Sequence, residues 1–173
     1  MAKLIRDQHI VDDDWQLLRL AEGVSAEQQP LPSTPTLLPL SLWQLHKTKL
    51  QTCGQPLGIW LDSHEAVETI ADALPILSVV ALNFPKFTDG RAYSSARLLR
   101  ERYHYQGEIR AIGDVLIDQL FYLKRCGINA FSLRPDQDLT LALQRFATIR
   151  EQYQGAVDQP LPLFRRRPSK ERA

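Results

Sequence analysis

Between Leu57 and Tyr153 short apolar runs alternate four times with helix-length segments, and no other feature narrows the fold so far. The runs are Leu57–Leu61, Leu77–Leu82, Glu108–Ile112 and Ile128–Leu133. They are short and rich in aliphatic and β-branched residues, as buried strands are. Helices are expected between them. Asp62 stands where an N-cap would, with Glu65 three positions on, and Ala66, Ile70, Ala71 and Leu74 share a face until Pro75 interrupts it. A second helix is expected from Ser94 to His104 and a third from Val115 to Cys126, ended by Gly127. The fourth runs from Leu139 toward Tyr153.

Strands that alternate with helices imply right-handed β-α-β crossovers and a parallel sheet. The expected fold class is therefore α/β. Four consecutive βα units form a parallel sheet, half-barrel-like or small and open, preceded by a short N-terminal β-hairpin from Lys3–Ile5 and His9–Val11. Residues 1–56 hold that hairpin, a Pro-rich linker over Glu22–Pro39, and a short helix capped by Ser41 and anchored by Trp43, all packed on the main domain. Residues 57–155 are expected to form the α/β core domain, and residues 156–173 an extended or disordered basic tail. An open sheet leaves an edge for the N-terminal strands, or for a second copy in a homodimer, to cover. The triplet Asp12-Asp13-Asp14 reads as a solvated acidic turn, because adjacent residues of extended chain point away from one another.

With 44% hydrophobic and 24% charged residues and a net charge of +1, the chain has the profile of a soluble globular protein, with nothing to draw it to nucleic acid or to a membrane surface. No apolar run approaches the ~20 residues of a spanning helix, and Met1–Asp7 lacks the apolar core of a signal peptide. A cytoplasmic location is expected. Cys53 and Cys126 have no metal-type spacing, and Cys126, just before Gly127, is expected to be a small buried thiol. Neither G-x-G-x-x-G nor a P-loop occurs. No cofactor is therefore recognisable in the sequence, with which a borrowed flavin or nicotinamide stays compatible.

Sites in parallel sheets and barrels gather at the carboxyl ends of the strands. Asp62, the loop from Lys86 to Tyr93, Asp114 and Arg134 all fall there. In that loop Gly90 follows Asp89, which suits a turn with φ > 0 that would aim Lys86, Asp89 and Arg91 to one side. The candidates for holding a ligand or partner are Lys86, Asp89, Arg91, Tyr93, Arg97, Arg100 and Arg134. A guanidinium fork suits an oxyanion such as sulfite, phosphate or a carboxylate. Asp89 and Asp114 are the candidates for proton transfer, and Asp114 also suits the simpler role of capping its helix.

The blocks Phe84-Pro85-Lys86-Phe87-Thr88-Asp89-Gly90-Arg91-Ala92-Tyr93-Ser94, Ala96-Arg97-Leu98-Leu99-Arg100, Gly113-Asp114-Val115-Leu116 and Asp118-Gln119-Leu120 resemble an uncharacterised bacterial family. Its members are commonly labelled oxidoreductases of sulfite reduction, chiefly because their genes lie beside those for sulfite reductase. The likeness is strong from about Gly58 to Leu133. It implies an accessory protein or oxidoreductase component of assimilatory sulfite reduction, acting with sulfite reductase or its reductant through the charged loop. Lacking a redox motif, the chain is expected to serve as the accessory component. The residues alone also admit a small enzyme that binds an anionic substrate between Lys86, Arg91 and Arg134.

Overall fold

A computed structural model describes residues 2–21, 25–52, 54–149 and 151–166. Its strands are β1 (Lys3–Arg6), β2 (His9–Asp12), β3 (Gln16–Leu17), β4 (Thr36–Pro39), β5 (Leu57–Leu61), β6 (Leu77–Phe84), β7 (Glu108–Gly113) and β8 (Ala130–Phe131). They form one eight-stranded sheet in the order β2-β1-β8-β7-β6-β5-β4-β3. From β3 to β8 neighbouring strands run parallel, whereas β1 is antiparallel to both β2 and β8. The sheet is mixed rather than wholly parallel, because the N-terminal hairpin joins it edge-on. Asp7 and Gln8 both take positive φ, as a tight two-residue hairpin turn of this hand requires.

Part of the stretch expected to be a linker is a strand. All four residues of β4 are buried between β3 and β5, and Pro35 and Pro39 stand at its ends, where a missing N–H costs least. Residues 1–56 thus supply four of the eight strands. Helix α1 (Leu40–Gln51) follows directly, with Pro39 rather than Ser41 at the cap position and Trp43 buried beneath it.

The four expected helices are shorter or different in kind. Residues 62–76 form two 3-10 turns, Val67–Ile70 and Leu74–Ile76, in place of an α-helix. Glu65 accepts the Asp62 N–H at 2.7 Å as a capping pair would, but the Asp62 carboxylate is bound to Ser63 N–H and Asn83 instead. Helix α2 (Arg91–Arg97) begins three residues earlier than expected and ends in one π-helical turn, Leu98–Arg102. A 3-10 turn at Ile117–Gln119 leads into α3 (Leu120–Arg125), after which buried Cys126 and Gly127 at φ +98 close the element as expected. Helix α4 (Leu139–Arg145) is capped by Asp138, whose carboxylate accepts from Thr140 and Leu141 N–H. In the tail, α5 (Leu163–Arg166) is helical, while residues 167–173 and Cys53 lie outside the described residues.

Chain connectivity forces the sheet to curl. Eight strands at the usual spacing span about 34 Å when flat. Yet β2 and β3, its opposite edges, are joined only by Asp13, Asp14 and Trp15, which reach about 14 Å at most. The sheet is accordingly rolled like a half-barrel, with this strap across its concave side. The outer face carries the main core: Leu38, Ile59, Val80, Leu82, Phe84 and Ile109 pack beneath Trp43, Leu99 and Leu123 of the covering helices. The inner face carries a smaller cluster of Leu37, Val79, Ala81 and Ile112, against which Trp15 of the strap and Trp60 pack.

Arg110 projects from β7 beside this inner cluster and is only 1% exposed. Its Nη1 donates to both oxygens of Asp13 at 2.9 and 3.0 Å, and its Nε donates to Glu108 at 2.6 Å. Arg6 of β1 reaches the other oxygen of Glu108 at 2.7 Å. The middle of the acidic triplet is therefore not a solvated turn, because the strap carries it over a buried guanidinium.

Candidate functional site

The carboxyl ends of the parallel strands carry most of the residues singled out in the sequence, joined into two fixed clusters. The first is centred on Asn83, buried near the end of β6. Asn83 Nδ2 donates to Asp62 Oδ1 at 2.9 Å, and its Oδ1 accepts from Arg19 Nη2 at 3.3 Å. The Arg19 guanidinium lies 5.1 Å from the centre of the Trp60 ring, within cation–π range. Burial pushes the Asp62 carboxyl up, but the hydrogen bonds from Asn83 and Ser63 outweigh it and the net shift is downward.

Ser63 links this network to the loop after β6. Arg91 Nη2 donates to Ser63 Oγ at 2.8 Å and to Asp89 Oδ2 at 2.6 Å, while Arg91 Nε donates to Asp89 Oδ1 at 3.0 Å. The guanidinium hydrogen bonds hold the Asp89 carboxyl far below the usual carboxylate range. Gly90 has an ordinary φ of −93°, so the expected positive-φ turn is absent and the Asp89–Arg91 pair itself fixes the loop. Lys86 is exposed, with no carboxylate within ion-pair distance among the described residues. Phe87 beside it is 47% exposed.

The second cluster is built on Asp114. Its Oδ2 accepts the Phe87 N–H at 2.9 Å and its Oδ1 accepts from Arg134 Nη1 at 3.0 Å, so it ties three chain segments together. It caps no helix, because the following 3-10 turn is capped by Gln119, whose side chain accepts the Leu116 N–H. Arg134 also clasps Asp136 through two bonds of 2.6 and 2.7 Å, which holds the Asp136 carboxyl down at about 2. The backbone bend that delivers Asp114 is at Gly113, whose φ of +96° belongs to glycine.

Three of the sequence candidates are engaged by neighbouring residues of the fold. Tyr93 packs its ring 5.3 Å from Phe84 and 5.1 Å from Tyr122, and its hydroxyl accepts from Gln119 at 3.3 Å. Arg97 pairs with Glu101 one turn on. Arg100 is half-buried and donates to the carbonyls of Gly127, Tyr105 and Gly107 and to Asn129 Oδ1. It ties the end of α3 to the turn before β7, so its place is in the scaffold. Arg100→Gln is expected to cost about 1.5–3 kcal/mol of stability, since several part-buried carbonyls lose a charged donor. Urea unfolding measures this, and an unshifted midpoint would refute the scaffold role.

Sequence reasoning did not single out Arg19, Ser63, Asn83 or Asp136. A polar Asn closing an otherwise apolar strand run was the available signal for Asn83.

The carboxyls of Asp89 and Asp136, clasped by arginines, set a pH dependence. A carboxyl whose pKa is lower in the folded state than in the unfolded chain contributes stability that is complete above the ordinary value of about 4 and is lost as pH falls through the folded value. For Asp136 that window runs from about 4 down to about 2, and for Asp89 it extends lower still. Carboxyl NMR titration is expected to find both residues still ionised at about pH 3. Ordinary titration of both near pH 4 would mean that the arginine clasps do not persist in solution.

Among the described residues no group of three His, Cys, Asp or Glu side chains is placed to hold a metal ion, and no helix is long and apolar enough to cross a membrane. Comparison with curated proteins finds no match. Residues 58–164, well over half of the chain, match the family DUF934, which spans β5 to β8, the charged loop and both clusters apart from Arg19. The chain therefore belongs to DUF934, a family of bacterial proteins of unknown function.

Proposed function

We propose that this protein is an accessory component of assimilatory sulfite reduction, docking on sulfite reductase or its reductant through the carboxyl edge of its sheet. The observation that carries the docking part is the state of the loop from Phe84 to Arg91. Asp89 and Arg91 are tied to each other and to Ser63, and the Phe87 N–H is held by Asp114, which Arg134 fixes, while the side chains of Phe87 and Lys86 stand outward. A rigid loop that presents an aromatic side chain within a charged rim loses little entropy on binding and resembles the centre of an interaction surface. The pathway rests on the family resemblance of the loop blocks.

The enzymatic reading has weaker support. Arg91 and Arg134 are each engaged by carboxylates rather than converging with Lys86 on a common point. A carboxyl as strongly depressed as Asp89 is a poor general acid or base near neutral pH.

The test is the double variant Lys86→Glu, Phe87→Ser, which changes only the two outward side chains of the loop, in a strain lacking the chromosomal gene. Growth on sulfate is expected to fail and growth on cysteine to continue, with the melting curve of the purified variant unchanged. Growth on sulfate as good as that of the parent would overturn the docking role of this edge. Normal growth on sulfate after deletion of the gene would overturn the pathway.

A further inference from the structure

A cavity of about 640 Å³ lies beside the second cluster. The turn leading into α3 and α3 itself provide one wall through Ile117 and Phe121, and α4 with the residues after it provides the other through Leu141, Arg145 and Ile149. Leu141 and Ile149 are 41% and 46% exposed, so they give the cleft an apolar surface open to solvent. The volume falls within the range of small-molecule sites, which are mostly apolar with a few charged groups that fix orientation.

The charges lining the cavity are unequal in their freedom. Arg134 is already engaged by Asp114 and Asp136. Arg145 has no carboxylate within ion-pair distance among the described residues, and Asp118 is the acid that shares the lining. An apolar cleft with one uncommitted guanidinium is complementary to a molecule that has an apolar body and an anionic head.

We propose that this cleft binds a small amphiphilic anion, its aliphatic or aromatic part seated against Phe121, Leu141 and Ile149 and its carboxylate or other oxyanion on Arg145. None of the residues from Phe84 to Arg91 lines the cleft, which shares only Arg134 with the support of the docking loop.

The probes are octanoate and octanol, which share an apolar chain and differ in charge, titrated into the ¹⁵N-labelled full chain. Octanoate is expected to shift the amides of Ile117, Phe121, Leu141 and Thr148, and to bind at least about tenfold more tightly than octanol, the effect of one charge-assisted hydrogen bond. Arg145→Gln removes that preference and leaves octanol binding unchanged. Leu141→Ser, also at an exposed position, weakens both ligands. Each of three results would overturn the assignment: no cleft shifts at millimolar octanoate, equal affinity for the two probes in the parent protein, or cleft shifts that follow protein concentration without ligand and so report self-association.

Discussion

Arg110→Met is expected to destabilise the fold by about 3–5 kcal/mol, the usual result of removing one partner from a buried ion pair. The methionine fills much of the same volume, so the loss is electrostatic. Asp13 and Glu108, both largely buried, are left facing one another without the guanidinium that bridges them. Equilibrium unfolding in urea measures the effect. The double variant Arg110→Met, Asp13→Asn is expected to recover a substantial part of it, since the stranded Asp13 charge is then gone while Glu108 keeps Arg6. A single variant as stable as the parent would mean that the strap is held by Trp15 packing alone.

Gly113→Ala is the second large effect, and it acts on both the fold and the candidate site. A methyl group built there would press on the Phe84 carbonyl oxygen and stand 2.7 Å from Asn83 Oδ1. Both neighbours are committed. The Phe84 carbonyl accepts the Asp114 N–H at 2.7 Å, and Asn83 holds Asp62 and Arg19. With φ at +96° the substitution also carries backbone strain, and together these predict a loss of at least about 2–3 kcal/mol. Hydrogen exchange gives a local readout. The Phe87 N–H, bonded to Asp114, is expected to exchange faster in the variant even after correction for global stability. Unchanged protection at Phe87 would show that the bend relaxes without moving Asp114.

The strands that carry the candidate site were legible because their apolar runs are long and bounded: β5, β6 and β7 fall within two residues of expectation. Strand β4 was hidden. Thr36-Leu37-Leu38-Pro39 lies among prolines and polar residues, and only pairing on both sides makes a four-residue segment of this kind a buried strand. Arg110 was hidden for a related reason. In a run such as Ile109-Arg110-Ala111-Ile112 the alternate polar residue implies a solvent-facing side, which holds only while nothing covers that face. Here the strap covers it. The expected helices failed where a side chain had a stronger engagement elsewhere, as Asp62 has with Asn83. At the site the loop and its charged residues were visible, but their pairing was not. Asp89 with Arg91, and Asp114 with Arg134, are chosen by backbone bends that no local pattern records.

The strap between β2 and β3 has a consequence for how the molecule comes into being. The segment from β1 to β3 pairs through β3 with β4 but through β1 with β8, where Ile5 lies opposite Phe131, a residue synthesised much later. Translation at roughly 5–20 residues per second leaves the hairpin without its β8 partner for several seconds, far longer than a hairpin takes to form. The nascent chain therefore grows as an open sheet, and β1 takes its place beside β8 only when β8 emerges. A truncation before β8 would trap that open form, with an apolar groove and an unpaired β7 edge available to chaperones.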